Sequence, residues 1–242
     1  MSARSAVAGG AFDAVIFDLD GTLIDTERLV VDAGLEALAH LGHAPRRDLL
    51  NAMVGTVNAE GHPTLAAAYG AAFDAAAFDR AWAEAAERLL TAGIPCRPGA
   101  RALLTWLRDA GLPVAVATNS RTASARANLA RAGLDGFFGP GRVIGRDAVA
   151  APKPAPDVFL GAAAVLGVAP ARCLAFEDSD PGTEAAHAAG MTVVLVPDQR
   201  APSTALAHVV ADSLLDGARR AGLCDIAGSV PMSGAEPTGD PT

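Results

Sequence analysis

The hydrophobic pattern changes period several times along this chain. Ala14-Val-Ile-Phe17 is an unbroken run of apolar, largely β-branched and aromatic residues, and it predicts a short buried strand. From about residue 25 to residue 93 the spacing becomes helical. Leu29, Val30, Ala33, Ala37, Leu38 and Leu41 share one face, and Phe78, Trp82, Ala85, Ala86, Leu89 and Leu90 share another. Asp25-Thr26-Glu27 supplies a helix start, because Asp25 or Thr26 can cap free N–H groups and Glu27 places an acid in the first turn. Gly42, Gly55, Gly61, Pro63 and Gly70 divide this region into several helices, and it holds no convincing strand.

Beyond Gly93 strands and helices alternate. A helix opens at Pro98-Gly99, runs through Leu103, Leu104, Trp106 and Leu107, and ends at Gly111. Strands are predicted over Pro113–Ala117, Arg142–Gly145, Cys173–Phe176 and Thr192–Val196, the last taken as the final core strand. Between them lie helices over Thr122–Ala132, from Val158 to Leu166, and over Pro181–Ala189. This rhythm predicts an α/β fold, a doubly wound, mostly parallel sheet, with an all-helical insertion. The expected division is a core of residues 1–24 and 94–224 and a cap of residues 25–93. Residues 225–242, rich in Pro, Gly, Ser and Thr, are expected to be a disordered tail.

Composition narrows the function. The 242 residues carry a formal net charge of −8, which gives no electrostatic footprint for nucleic acid or an anionic membrane. No apolar run reaches the ~20 residues of a membrane span, and Met1–Gly10 lacks the apolar region of a signal peptide. Cys96, Cys173 and Cys224 are far apart and match no zinc spacing, so reduced thiols in a cytoplasmic protein are the expectation, with a monomer as the default. Among 19 lysine and arginine residues there is a single lysine, Lys153. In so arginine-rich a chain, that position calls for a compact ammonium rather than a planar fork.

Candidate chemistry gathers after the strands. Asp18 and Asp20 flank Leu19 at the end of the first strand, so an extended backbone sends both carboxylates to one side, and Gly21 lets the chain turn away beneath them. Two adjacent carboxylates repel unless a cation or proton sits between them, which points to Mg²⁺ and phosphate chemistry. Three further polar groups follow later strands: Thr118-Asn119, Lys153, and Glu177-Asp178. In a doubly wound sheet all would converge on the carboxyl edge, where such folds bind ligands.

In this order and spacing, Asp-Leu-Asp-Gly-Thr, the strand ending in Thr-Asn-Ser, Lys-Pro-Ala-Pro-Asp and Phe-Glu-Asp-Ser-Asp-Pro-Gly resemble the motifs of the haloacid dehalogenase superfamily. The likeness spans about residues 13 to 197 and is nearest to the branch of β-phosphoglucomutase-like phosphatases with a helical cap. The resemblance implies Asp18 as nucleophile and Asp20 as general acid and base. It implies Mg²⁺ held by Asp18, the Asp20 carbonyl and Asp178, with Glu177 a further or water-bridged ligand. Thr118 and the Asn119 backbone would bind the phosphoryl oxygens, and Lys153 would neutralise their charge.

An acid at position 20 favours phosphate esters over the dehalogenases and phosphonate cleavers of that superfamily. The mutases grip a second phosphate with a basic cap residue. The comparable stretch here, Val54–His62, has a histidine and an acid but no arginine or lysine, although Arg46 and Arg47 lie nearby. Asn58, Glu60 and His62 are the cap residues expected to meet substrate. The expected function is therefore Mg²⁺-dependent hydrolysis of a small-molecule phosphate ester. A sugar phosphate is the first choice, ahead of phosphoglycolate and nucleotides; a phosphosugar mutase and a non-catalytic metabolite sensor are the alternatives.

Overall fold

In a computed structural model, which describes residues 11–53, 58–198 and 201–223, the strands are β1 (Ala14–Phe17), β2 (Val114–Ala117), β3 (Val143–Ile144), β4 (Cys173–Glu177), β5 (Thr192–Leu195) and β6 (Val209–Val210). They form one parallel sheet in the order β3-β2-β1-β4-β5-β6. Successive side chains point to opposite faces, and both faces are covered, which is why the strands read as unbroken apolar runs. Val15, Phe17, Val116, Leu174 and Phe176 pack against helices α5 (Ala100–Asp109), α6 (Thr122–Arg131) and α9 (Leu214–Arg220). Ile16, Ala115, Ala175 and Val193 pack against α7 (Asp157–Leu166) and α8 (Asp180–Ala188). The β1–β4 register sets Phe17 beside Phe176, their rings stacked 5.2 Å apart in the middle of the sheet.

The insertion consists of α1 (Thr26–His40), α2 (Arg47–Met53), α3 (Asn58–Tyr69) and α4 (Ala75–Ala92), packed around a separate apolar cluster. Val31, Leu38, Leu50, Leu65, Phe78 and Trp82 are buried there, and the Trp82 indole N–H donates to the Val30 carbonyl at 2.8 Å. Asp25 caps α1, accepting from the Arg28 N–H. Among the described residues no helix is long and apolar enough to cross a membrane.

Two elements differ from the pattern-based expectation. Thr192–Leu195 is not the last strand: β6 and α9 follow it, and β6 is too short for an alternation to register. Glu177 ends β4 rather than following it, so its side chain is directed by the strand.

The two crossings between sheet and insertion are joined to each other. Ile24 bridges Cys96, the Asp25 N–H donates to the Pro95 carbonyl and the Arg97 N–H to the Leu23 carbonyl, both at 2.9 Å. Arg97 then reaches Asp198, just beyond β5, in a 2.6 Å ion pair whose side chains are 13% and 2% exposed. The second carboxylate oxygen of Asp198 is buried without a partner. Removing the guanidinium would leave a buried charge uncompensated, so Arg97→Ala should cost about 3–5 kcal/mol in urea unfolding. Arg97→Met combined with Asp198→Leu should recover most of that loss.

Candidate active site

The site begins where β1 stops. The Asp18 N–H still donates to the Phe176 carbonyl, at 2.9 Å, so Asp18 is held against β4 one residue past the strand. Leu19 is buried in the core, which leaves Asp18 and Asp20 facing the carboxyl edge together. Gly21 has a φ of +90°, and a Cβ there would lie 2.3 Å from Asp178 Oδ2. Only glycine satisfies both the turn and the close approach of that carboxylate.

Lys153 is buried between two acids. Its Nζ lies 2.6 Å from Asp18 Oδ1 and 2.6 Å from Glu177 Oε1, and 4.9 Å above the Phe159 ring. Burial acts to lower the lysine pKa, but the carboxylates of Asp18 and Glu177 outweigh it and hold the ammonium charged well above its usual range. The other oxygen of Glu177 accepts from the Asp178 and Ser179 N–H groups at 3.1 and 3.3 Å and from the Ser179 hydroxyl at 3.0 Å. Gly182 makes room for this arrangement, since a Cβ at that position would fall 1.9 Å from the Glu177 carboxyl. Asn119 fixes the lysine backbone from the far side: its Oδ1 accepts from the Lys153 N–H at 2.8 Å and its Nδ2 donates to the Lys153 carbonyl at 3.3 Å.

Asp20 is held by two hydroxyls. Thr26, the first residue of α1, donates to Oδ1, and Ser120, after β2, donates to Oδ2, each at 2.7 Å. The Thr118 hydroxyl is buried and accepts from the Ser120 N–H at 3.0 Å, closing a tight turn after β2. Neither Thr26 nor Ser120 stands out from the pattern as a site residue. Thr26 reads as a cap and Ser120 as the tail of Thr-Asn-Ser, because a hydroxyl's partner across the fold leaves no local signal.

Of these groups, Asp18, Asp20, Thr118, Asn119, Ser120 and Lys153 line a cavity of about 680 Å³ together with Asp178, Glu27, Ser179, Asp180 and the loop segment Ala201–Ser203. Burial raises the Asp18 pKa to about 7, with the Glu177 and Asp20 carboxylates adding to it against the pull of Lys153. Asp178 is also raised, by burial first and then by Asp18, Glu177 and Glu27. Carboxylate oxygens of Asp18, Glu177 and Asp178 lie within 4.8 Å of one another. A divalent cation would offset both the burial and the mutual repulsion that raise the two aspartates, so the donor set fits Mg²⁺. Glu177 is already engaged by Lys153 and the 178–179 turn, so Asp18 and Asp178 are the better-placed ligands.

The cap candidates are not brought to this cavity in the same way. The loop expected over Val54–His62 is helical from Asn58 onward, and Val54–Val57 lie outside the described residues. Asn58 and Glu60 fall in the first turn of α3, their side chains likewise outside what is described. His62 contacts Asp79 of α4 through Nε2, 2.9 Å from Oδ1, and is not among the described residues lining the cavity. Arg46 pairs with Asp48 and Arg47 with Asp32, all on the surface of the insertion.

Known proteins resemble this chain in sequence and in fold. Fructose-1-phosphate phosphatase YqaB of Escherichia coli is 36% identical over 183 residues, covering 76% of this chain and 95% of that protein. Hexitol phosphatase A of the same organism is 36% identical over 181 residues, covering 75% and 81%. The crystal structure of a HAD family hydrolase from Deinococcus radiodurans with bound phosphate and sodium superposes with a TM-score of 0.75 at 28% identity, covering 88% of this chain and 97% of that one. A family model for haloacid dehalogenase-like hydrolases matches residues 12–190, the span that carries β1, the insertion, Asp18, Asp20, Lys153, Glu177 and Asp178. The chain belongs to the haloacid dehalogenase-like hydrolases.

Proposed function

We propose that this enzyme is a Mg²⁺-dependent phosphatase of small phosphorylated metabolites, sugar phosphates foremost, acting through an aspartyl-phosphate on Asp18. Family membership and the phosphatases among its relatives make it a phosphoric monoester hydrolase. The metal, the intermediate and the substrate class are our reading. The observation that carries it is the lone lysine buried between Asp18 and Glu177 beside a second aspartate, Asp20, that faces the same cavity.

In the first step a carboxylate oxygen of Asp18 attacks phosphorus and the ester oxygen leaves, taking a proton from Asp20. In the second, Asp20 takes a proton from water, the oxygen of that water attacks the phosphoryl group, and phosphate leaves with Asp18 restored. Lys153 holds Asp18 in place and balances charge on the transferring group; Thr118 and the Asn119 N–H cradle its oxygens. Mg²⁺, held by Asp18, the Asp20 carbonyl and Asp178, would supply further charge neutralisation. Asn119 has a second part to play, because its side chain sets the Lys153 backbone. The division into a core of residues 1–24 and 94–224 and a cap of residues 25–93 belongs to the same reading, with the cap screening the reaction from bulk water. Arg46 and Arg47 are occupied by Asp48 and Asp32, which favours hydrolysis over a mutase that must hold a second phosphate.

Phosphate release from a panel of sugar phosphates should need Mg²⁺ and stop with chelator. Asp18→Asn should lower kcat by at least about 10³-fold while leaving binding of the ester intact. Release that persists in that variant would exclude Asp18 as the nucleophile. A second expectation concerns pH. Asp18 moves from its ordinary 3.8 to about 7 on folding without metal, so the folded chain binds this proton more tightly than the unfolded one. The stability it contributes is therefore complete below pH ~4 and lost as pH rises through about 7. Mg²⁺ competes with that proton, so the metal-induced rise in Tm should be larger at pH ~8 than at pH ~5.5. Equal shifts at both values, or shifts unaltered in Asp18→Asn, would count against Asp18 as a ligand.

A further inference from the structure

One wall of the cavity is built by a segment that has no part in the phosphoryl-transfer steps described above. Ala201, Pro202 and Ser203 lie between β5 and β6 and line the same space as Asp18 and Asp178. They are exposed, yet they are tied to α8 by one side chain. Asp180, the first residue of that helix, accepts from the Ser203 N–H at 3.0 Å, from the Ser203 hydroxyl, and from the Thr204 N–H at 3.2 Å. The stretch Glu177–Asp180 thus orients the lysine, offers a metal ligand and fixes the far wall in four consecutive residues.

We infer that Ala201–Ser203, positioned by Asp180, form the leaving-group subsite, and that this subsite takes a polyhydroxy carbon chain. The inference rests on the phosphatase reading and adds which residues meet the carbon chain of the ester. The Ala201 methyl and the Pro202 ring offer apolar surface to the C–H face of such a chain. The Ser203 hydroxyl gives its proton to Asp180, so its oxygen is left to accept from a ligand hydroxyl. Glu27, at the start of α1, lines the same cavity with an acceptor carboxylate. A ligand that alternates C–H and O–H groups matches both surfaces. A second anionic group would instead face Glu27, Asp178 and Asp180. At about 680 Å³ the space holds far more than a phosphoryl group.

The test compares sorbitol phosphate, glycerol phosphate, phosphoglycolate and p-nitrophenyl phosphate as substrates, with Mg²⁺, for wild type and variants. Asp180→Ala should raise KM for sorbitol phosphate about tenfold with kcat changed by less than about twofold, and lower the preference for it over p-nitrophenyl phosphate by the same factor. Asp180→Asn keeps an acceptor oxygen and should restore most of that preference. Ala201→Phe, at an exposed position that carries the test if Asp180→Ala does not fold, should narrow the wall and cut activity on sorbitol phosphate about tenfold more than on glycerol phosphate. Equal losses on every ester in these variants, or unchanged ratios, would overturn the subsite. A wild-type preference for phosphoglycolate would overturn the polyhydroxy assignment while leaving the phosphatase intact. Hydrolysis of none of the four, nor of the sugar-phosphate panel, would instead remove the phosphatase reading on which the inference stands.

Discussion

The ammonium of Lys153, buried between Asp18 and Glu177, is the contact on which the rest of the site depends. A carboxylate with no exposed surface, such as Glu177, is tolerated only when its charge and lone pairs are satisfied. Here the lysine takes one oxygen, and the backbone of the 178–179 turn takes the other. That turn presents Asp178, so the acid that orients the lysine also orients the candidate metal ligand. Asp18 is joined to the same ammonium from β1. Neighbouring strands β1 and β4 are therefore linked twice, by the backbone ladder and by a charged bridge at their carboxyl ends.

A second constraint lies where the insertion leaves the sheet. Both crossings are paired to each other, and Thr26, the first residue of α1, reaches back to Asp20. The orientation of a site aspartate is thus tied directly to the placement of the helical insertion. Ser120 anchors the same carboxylate from the sheet side. Asp20 stands between the two parts of the chain, and displacement of α1 would alter one of its two hydrogen bonds and spare the other.

Much of this was legible from residue types alone. Strand runs such as Ala14–Phe17 and Val114–Ala117 are apolar without interruption because both faces of a parallel sheet are covered. The glycine after Asp20 announced a turn, and the lone lysine announced a position where a compact charge is needed. What stayed hidden depends on long-range contact. The clamp of Asn119 on the Lys153 backbone spans 34 residues, and the hydroxyl of Ser120 finds Asp20 across 100. Asp180 reads as an ordinary acid in the first turn of a helix, and nothing local reveals that it secures a loop 23 residues away. In the insertion, Gly61 and Pro63 have the residue types of helix breaks, yet both lie within α3, where tertiary packing around Leu65 overrides local propensity.

Across these 242 residues, the only side-chain amine is the one at the centre of the site. Reagents that acylate or reductively alkylate amines therefore have no surface lysines to consume them, and any side-chain modification reports on access to the space between Asp18 and Glu177. The bond after Lys153 leads into Pro154 and resists trypsin-like proteases, so such enzymes cut the chain at its arginines alone. The composition that leaves a single lysine in place makes its modification a readout of the bridge itself, because the ammonium must give up its proton between two carboxylates before it can react.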